Sequence, residues 1–229
     1  MYLQVTTRCN MKCAHCGFSC TQKGEDMSLE VFTKAAEMAG ERGEYIAIGG
    51  GEPTIHPQFW AFLGIALGST DETVWLATNG KETNIALKLA KMAKKGIIGC
   101  RLSIDEWHDP ISHRVEDAFR RKERSYLDRD NNDCREISEV TYDLIKRGRA
   151  VKLVNNGHAI GKQGCICSEV FVTPNGNIYE CGCQLHQIGT VFDGYEMPSS
   201  YNEIDIDEPC TKIRLHEEKK MYQAELLHV

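Results

Sequence analysis

The sequence predicts an α/β fold built on a parallel sheet, and three observations lead there. Short apolar runs alternate with amphipathic stretches of helix length from Tyr2 to Val154. Cap and turn residues separate them. The residues able to carry chemistry fall directly after the strand-like runs, where loops at the carboxyl ends of parallel strands converge on one cavity. A partial βα barrel with right-handed crossovers fits this order.

Tyr2 to Thr6 reads as the first strand and leads into a cysteine-rich loop. Ser28 is placed to cap the following helix, with Glu30 in its first turn and Leu29, Phe32, Ala36 and Ala39 on one apolar face. Tyr45 to Ile48 is a short strand ending in a glycine run, and Pro57 opens a helix with Trp60, Leu63 and Leu67 among its apolar positions. Thr73 to Ala77 is a third strand and Thr78-Asn79-Gly80 a turn. Glu82 to Lys95 is a helix carrying Ile85, Leu89 and Met92, stopped by Gly96. Ile97 to Ile104 is a fourth strand, with Cys100 among its core positions. The charged stretch from Arg120 to Asp133 reads as a solvated loop or helix end. Ile137 to Lys146 is expected as a helix and Ala150 to Val154 as a strand.

Beyond Gly157 the composition becomes rich in glycine and cysteine, which divides the chain into a core of residues 1–157 and an extension of residues 158–229. Glu169 to Thr173 and Ile178 to Glu180 flank Pro174-Asn175-Gly176-Asn177, a turn-forming set, and read as a β-hairpin. Pairing of these strands would gather Cys165, Cys167, Cys181 and Cys183 into a tetrathiolate site. Cys210 to Leu227 is expected as a terminal helix.

The chain has 229 residues and a formal net charge of −6, without the cationic surplus of a general nucleic-acid binder. Its eleven cysteines would imply disulfides in a secreted protein, but no signal-peptide pattern or long apolar run is seen. Seven of the cysteines cluster in two groups. Metal ligation in a reducing, cytoplasmic compartment explains them better.

Cys9, Cys13 and Cys16 form C-x3-C-x2-C immediately after the first strand. Three thiolates so close can hold one iron–sulfur cube and leave its fourth iron open. Gly49-Gly50-Gly51-Glu52-Pro53 ends the second strand, and its glycines allow a close backbone approach. It is not a phosphate loop, because the Gly-Lys-Ser/Thr ending is missing.

Taken together, the cysteine triplet and the Gly-Gly-Glu-Pro run resemble the radical S-adenosylmethionine (radical SAM) superfamily. The resemblance implies a partial (βα)6-type barrel with a [4Fe-4S] cluster on Cys9, Cys13 and Cys16. It further implies that SAM chelates the open iron, and that an electron from a donor such as flavodoxin or ferredoxin breaks it to a hydrogen-abstracting 5′-deoxyadenosyl radical. By the same resemblance Gly50, Gly51 and Glu52 receive the methionyl amine, and Ser103 and Asp105 contact the ribose. Thr78 and Asn79 line the cofactor, and His15 stands where relatives carry an adenine-contacting aromatic side chain. Strand-end capping is the alternative for Ser103, Asp105, Thr78 and Asn79, and a surface or packing role for His15.

His108 overhangs the same strand end and is a candidate proton donor or substrate ligand, against a loop histidine without a role. Cys20 reads as a buried thiol, with a thiol or radical partner as the alternative. The C-terminal cysteine hairpin is similar to SPASM and twitch extensions, which implies an auxiliary iron–sulfur cluster. Zinc uses the same four-thiolate set. The expected activity is radical chemistry on a peptide or small molecule. A nucleoside-modifying enzyme, a glycyl-radical activase and a non-catalytic iron–sulfur or zinc scaffold are the rivals.

Overall fold

Nine strands form one sheet in a computed structural model that describes residues 1–121, 132–139, 147–155, 169–184 and 186–197. The chain runs β1 (Tyr2–Thr6), α1 (Leu29–Glu41), β2 (Ala47–Gly50), a 3-10 turn (Pro53–Ile55), α2 (Phe59–Ser69), β3 (Trp75–Thr78), α3 (Thr83–Lys94) and β4 (Gly99–Ser103). It continues through α4 (His113–Phe119), β5 (Arg135–Ser138), α5 (Ala150–Asn155), β6 (Phe171–Val172), β7 (Asn177–Tyr179), β8 (Gln187–Thr190) and β9 (Gly194–Tyr195). The spatial order is β5-β4-β3-β2-β1-β6-β7-β8-β9.

From β5 to β6 every neighbouring pair is parallel, with Tyr2 opposite Ala47 on one side of β1 and Phe171 on the other. The expected hairpin is present as β6 and β7. Its first strand therefore extends the parallel sheet, while β7, β8 and β9 follow as an antiparallel meander.

Local signals explain the element ends. The Ser28 hydroxyl accepts from the Val31 N–H at 3.2 Å and so caps α1. Gly96, at φ +70°, ends the turn after α3 in a conformation that costs glycine little. The core lies between sheet and helices. Leu3, Ile48, Leu76 and Leu102 from four strands pack with Phe32, Phe62 and Leu89. Phe32 and Phe62 join α1 to α2 with their rings stacked 4.2 Å apart.

Three expectations are corrected. Leu29, Trp60 and Leu67 are exposed, and α2 buries Phe59, Phe62, Leu63 and Ala66 instead. That helix is apolar almost all round, so its sequence cannot choose a face. Arg135–Ser138 is a strand and Ala150–Asn155 a helix, reversing the expected order of helix and strand. The charges around β5 mask it: Asp133 and Arg135 are buried as an ion pair at 2.5 Å, and Arg135 also reaches the Ala118 carbonyl. The remainder of the expected helix, the terminal helix, and Cys165, Cys167 and Cys210 lie outside the described residues.

Candidate metal and cofactor site

At the carboxyl ends of β1 to β4 lies a cavity of ≈ 510 Å³, lined by Cys9, Cys13, Cys16 and Cys20 from the first loop. Gly50, Gly51 and Glu52 face it after β2, Thr78 and Asn79 after β3, and Ser103, Asp105 and His108 after β4. His15 completes this rim. The parallel register brings Cys9 and His108, 99 positions apart in sequence, to one cavity.

Two main-chain bonds and one between side chains tie the cysteine loop and the end of β1 to the segment before α1. The Cys9 N–H donates to Thr21 O at 2.7 Å, Thr7 N–H to Glu25 O at 2.9 Å, and Thr6 Oγ1 to Asp26 Oδ1 at 2.6 Å. Two N–H groups point at Cys9 Sγ, from Met11 at 3.4 Å and Asn79 Nδ2 at 3.7 Å. Such donors favour thiolate, the form that binds metal. Without a cation, burial pushes the Cys9 thiol up, and raises Cys13 to about 11 with help from the neighbouring sulfurs. Cys20 donates its S–H to Cys16, which lowers Cys16 and raises Cys20. A metal would reverse the cost of three adjacent thiolates by supplying positive charge. Three sulfur donors open to one cavity fit an iron–sulfur cluster, and Cys9, Cys13 and Cys16 are the residues able to hold it.

The glycine run has a tighter reason than ligand access. A Cβ on Gly51 would fall 1.9 Å from Arg8 O, and one on Gly50, which sits at φ +128°, 2.4 Å from Thr6 O. The end of β1 and the start of the cysteine loop occupy the space a side chain would need. Glu52 is buried with four donors on its carboxylate. Its Oε1 accepts from Thr54 N–H at 3.2 Å, Thr54 Oγ1 at 2.6 Å and Thr78 Oγ1 at 2.9 Å, and its Oε2 from Asn79 N–H at 2.7 Å. Burial raises its pKa despite these bonds. Asn79 passes the linkage on, donating to Asn10 Oδ1 at 2.9 Å and accepting from Lys81 N–H at 3.0 Å. Asn79 thus braces the cysteine loop and Thr78 braces Glu52, while both line the cavity.

On the β4 side Asp105 is buried between two imidazoles. Its Oδ1 is 2.6 Å from His108 Nδ1 and its Oδ2 3.5 Å from His15 Nε2, with the two rings 5.2 Å apart and edge to face. Burial lowers the His15 pKa although Asp105 opposes it. Ligand atoms of the three residues lie within 4.8 Å of one another. They can relay hydrogen bonds across the rim.

Residues 3–132 match the family model described as the radical SAM superfamily. The chain belongs to the radical SAM superfamily. It is 30% identical over 126 residues to the antilisterial bacteriocin subtilosin biosynthesis protein AlbA of Bacillus subtilis (strain 168), a match spanning 54% of this chain and 27% of AlbA. The chain therefore matches less than a third of that curated relative. Among solved structures, BtrN in complex with AdoMet and 2-DOIA resembles it with a TM-score of 0.57 at 16% identity, covering 83% of this chain and 77% of BtrN. Native anSMEcpe with bound AdoMet and Cp18Cys peptide gives a TM-score of 0.51 at 16% identity, covering 85% and 77%. These likenesses support the radical SAM partial-barrel fold.

Sequence reasoning missed three participants. Tyr2 lines the cavity, accepts from Gly50 N–H at 2.8 Å and stacks on Phe171 at 5.1 Å. Arg147 and Arg149 reach the two cysteine loops from the start of α5. Nothing local marks them, because a strand tyrosine and two arginines in a basic stretch have ordinary surroundings in sequence. Of the second group of four cysteines, Cys181 and Cys183 are buried just after β7, and Cys165 and Cys167 lie outside the described residues.

Proposed function

We propose that this chain is a radical SAM enzyme that reductively cleaves S-adenosylmethionine and abstracts hydrogen from a peptide substrate. The observation that carries the reading is the opening of three C-x3-C-x2-C thiols onto the cavity bordered by Gly50–Glu52 and by Ser103 and Asp105. A bound [4Fe-4S] cluster would supply the electron that breaks SAM into methionine and a 5′-deoxyadenosyl radical. The protein provides ligation, orientation and exclusion of water. Cys9, Cys13 and Cys16 hold the cluster, and the Gly50–Glu52 segment receives the methionyl amine. Ser103 and Asp105 take the ribose hydroxyls, with Thr78 and Asn79 beside them and His15 toward the adenine. His108 shares Asp105 and is placed to exchange a proton with substrate at its imidazole.

A peptide is favoured because AlbA is by name a bacteriocin biosynthesis protein and anSMEcpe is described with a peptide bound. BtrN with 2-DOIA supports a small molecule as the second reading. Cys181 and Cys183, with Cys165 and Cys167, form a SPASM/twitch-like auxiliary iron–sulfur site in an extension of residues 158–229, beyond a core of residues 1–157. Zinc at those thiols is its alternative. An external donor such as flavodoxin or ferredoxin reduces the cluster in a cytoplasmic setting. No helix among the described residues is long and apolar enough to cross a membrane.

Anaerobic reconstitution with iron and sulfide, then reduction in the presence of SAM, tests the reading through formation of 5′-deoxyadenosine. Cys13→Ala should abolish it. A cluster-loaded wild type that leaves SAM intact would favour the scaffold reading. Binding of about eight irons per chain, against about four, separates an auxiliary cluster from zinc.

A further inference from the structure

Three residues ahead of α5 join the two cysteine loops. Arg149 Nε donates to Cys13 O at 2.9 Å, its Nη1 to Cys20 O at 2.7 Å, and its main-chain N–H to Cys16 O at 3.0 Å. Gly148 permits this approach. It sits at φ +56°, and a Cβ there would fall 2.5 Å from Gly17 O and 2.7 Å from Cys16 O. Arg147 turns the other way, donating to Gln184 Oε1 at 2.5 Å and to Gly182 O in the second cysteine loop. Its guanidinium lies 5.6 Å from the Phe18 ring, which in turn stacks on Phe171 at 5.3 Å.

Arg149 also lines the cavity beside Cys9, Cys13 and Cys16. No carboxylate among the described residues forms an ion pair with it. A guanidinium stays protonated at any working pH, and its planar fork can bind two carbonyls at once. A full positive charge held against the cysteine loop, with no ion-pair partner among the described residues, favours whichever state of that centre is more negative. Net charge and hydrogen bonding near the sulfurs are the protein's means of setting a cluster's potential.

We propose that Arg149 is a positioning residue for the first metal centre, clamping the Cys13 and Cys20 carbonyls while its charge raises the potential at which that centre accepts an electron. The inference rests on the reading that Cys9, Cys13 and Cys16 hold an iron–sulfur cluster. The redox step is the gain of one electron from an external low-potential reductant, and no bond forms or breaks in it. Charge and clamp are separable, because lysine keeps the first and loses the fork.

The test is an anaerobic potentiometric titration of reconstituted wild type, Arg149→Lys, Arg149→Gln and Arg149→His. Electron paramagnetic resonance follows the signal that Cys13→Ala removes, with dithionite as reductant and no SAM present. The midpoint should move to more negative potential in Arg149→Gln and stay near wild type in Arg149→Lys. Both variants should lose iron to a chelator several-fold faster. If Arg149→Gln retains too little iron, Arg149→His decides: its midpoint should fall more steeply than wild type's as pH rises through the imidazole range. An iron-loaded Arg149→Gln with the wild-type midpoint, or an Arg149→His parallel to wild type, overturns the inference and leaves the cluster assignment standing. A wild type that holds no iron overturns both.

Discussion

Replacing Glu52 by glutamine tests whether the carboxylate braces the cavity. Four donors converge on it, three at Oε1 and one at Oε2. A glutamine amide can present only one oxygen, so its least costly placement keeps that oxygen at the Oε1 position. The NH₂ then faces the Asn79 N–H, which leaves two buried donors opposed. An unsatisfied buried donor costs about 1–3 kcal/mol. Relief from burying a charge offsets part of this, since burial already raises the Glu52 pKa. The expected net loss is therefore about 1–2 kcal/mol. With a urea dependence of about 2 kcal/mol per molar, the unfolding midpoint should fall by roughly 0.5–1 M. Glu52→Ala strands all four donors and opens a cavity, so its midpoint should fall further. Urea titrations followed by circular dichroism measure both. A Glu52→Gln midpoint equal to wild type, or an alanine variant no worse than the glutamine one, would refute the reasoning.

Gly51→Ala should sharply reduce iron loading, because its methyl group would fall 1.9 Å from Arg8 O, whereas Gly64→Ala in α2 meets nothing within 4 Å and should load normally. Iron per chain after reconstitution distinguishes them. Asp133→Asn removes the negative charge from the ion pair with Arg135 and should destabilise by about 1–3 kcal/mol near neutral pH. Arg135 holds the Asp133 carboxyl below its ordinary value of 3.8, so this contribution is complete above that value and is lost as pH falls through the folded-state pKa. The two proteins' unfolding midpoints should converge in acid. His56 is buried, with Nδ1 accepting from Gln58 N–H at 3.0 Å and Nε2 at 3.1 Å from Met27 O, which describes a neutral ring. Burial lowers its pKa, so stability should decline as pH drops below the ordinary 6.5, by up to about 1.4 kcal/mol per pH unit. Unfolding of His56→Gln should lack that part of the slope.

Features set by near neighbours were legible in the linear chain. The Ser28 cap, the Gly96 stop and the turn at Pro174–Asn177 depend on residues a few positions apart, and each lies where expected. The C-x3-C-x2-C spacing and the Gly-Gly-Glu-Pro run likewise declare the family within short windows. Their strand-end positions then place them at one cavity, because parallel strands point the same way.

Tertiary structure decided what depends on distant partners. Arg135 looks solvated until its guanidinium is seen to reach the Ala118 carbonyl of α4, 17 residues back. Phe62 rather than Trp60 enters the core because α1 supplies Phe32 as its partner. Glu52 turns to Thr78 and Asn79, 26 and 27 residues on, and Arg149 reaches Cys13 from 136 residues away. Local sequence sets the backbone's preferred shapes, whereas burial and hydrogen-bond satisfaction act through space. The identity of a buried polar group's partner is therefore a property of the folded chain.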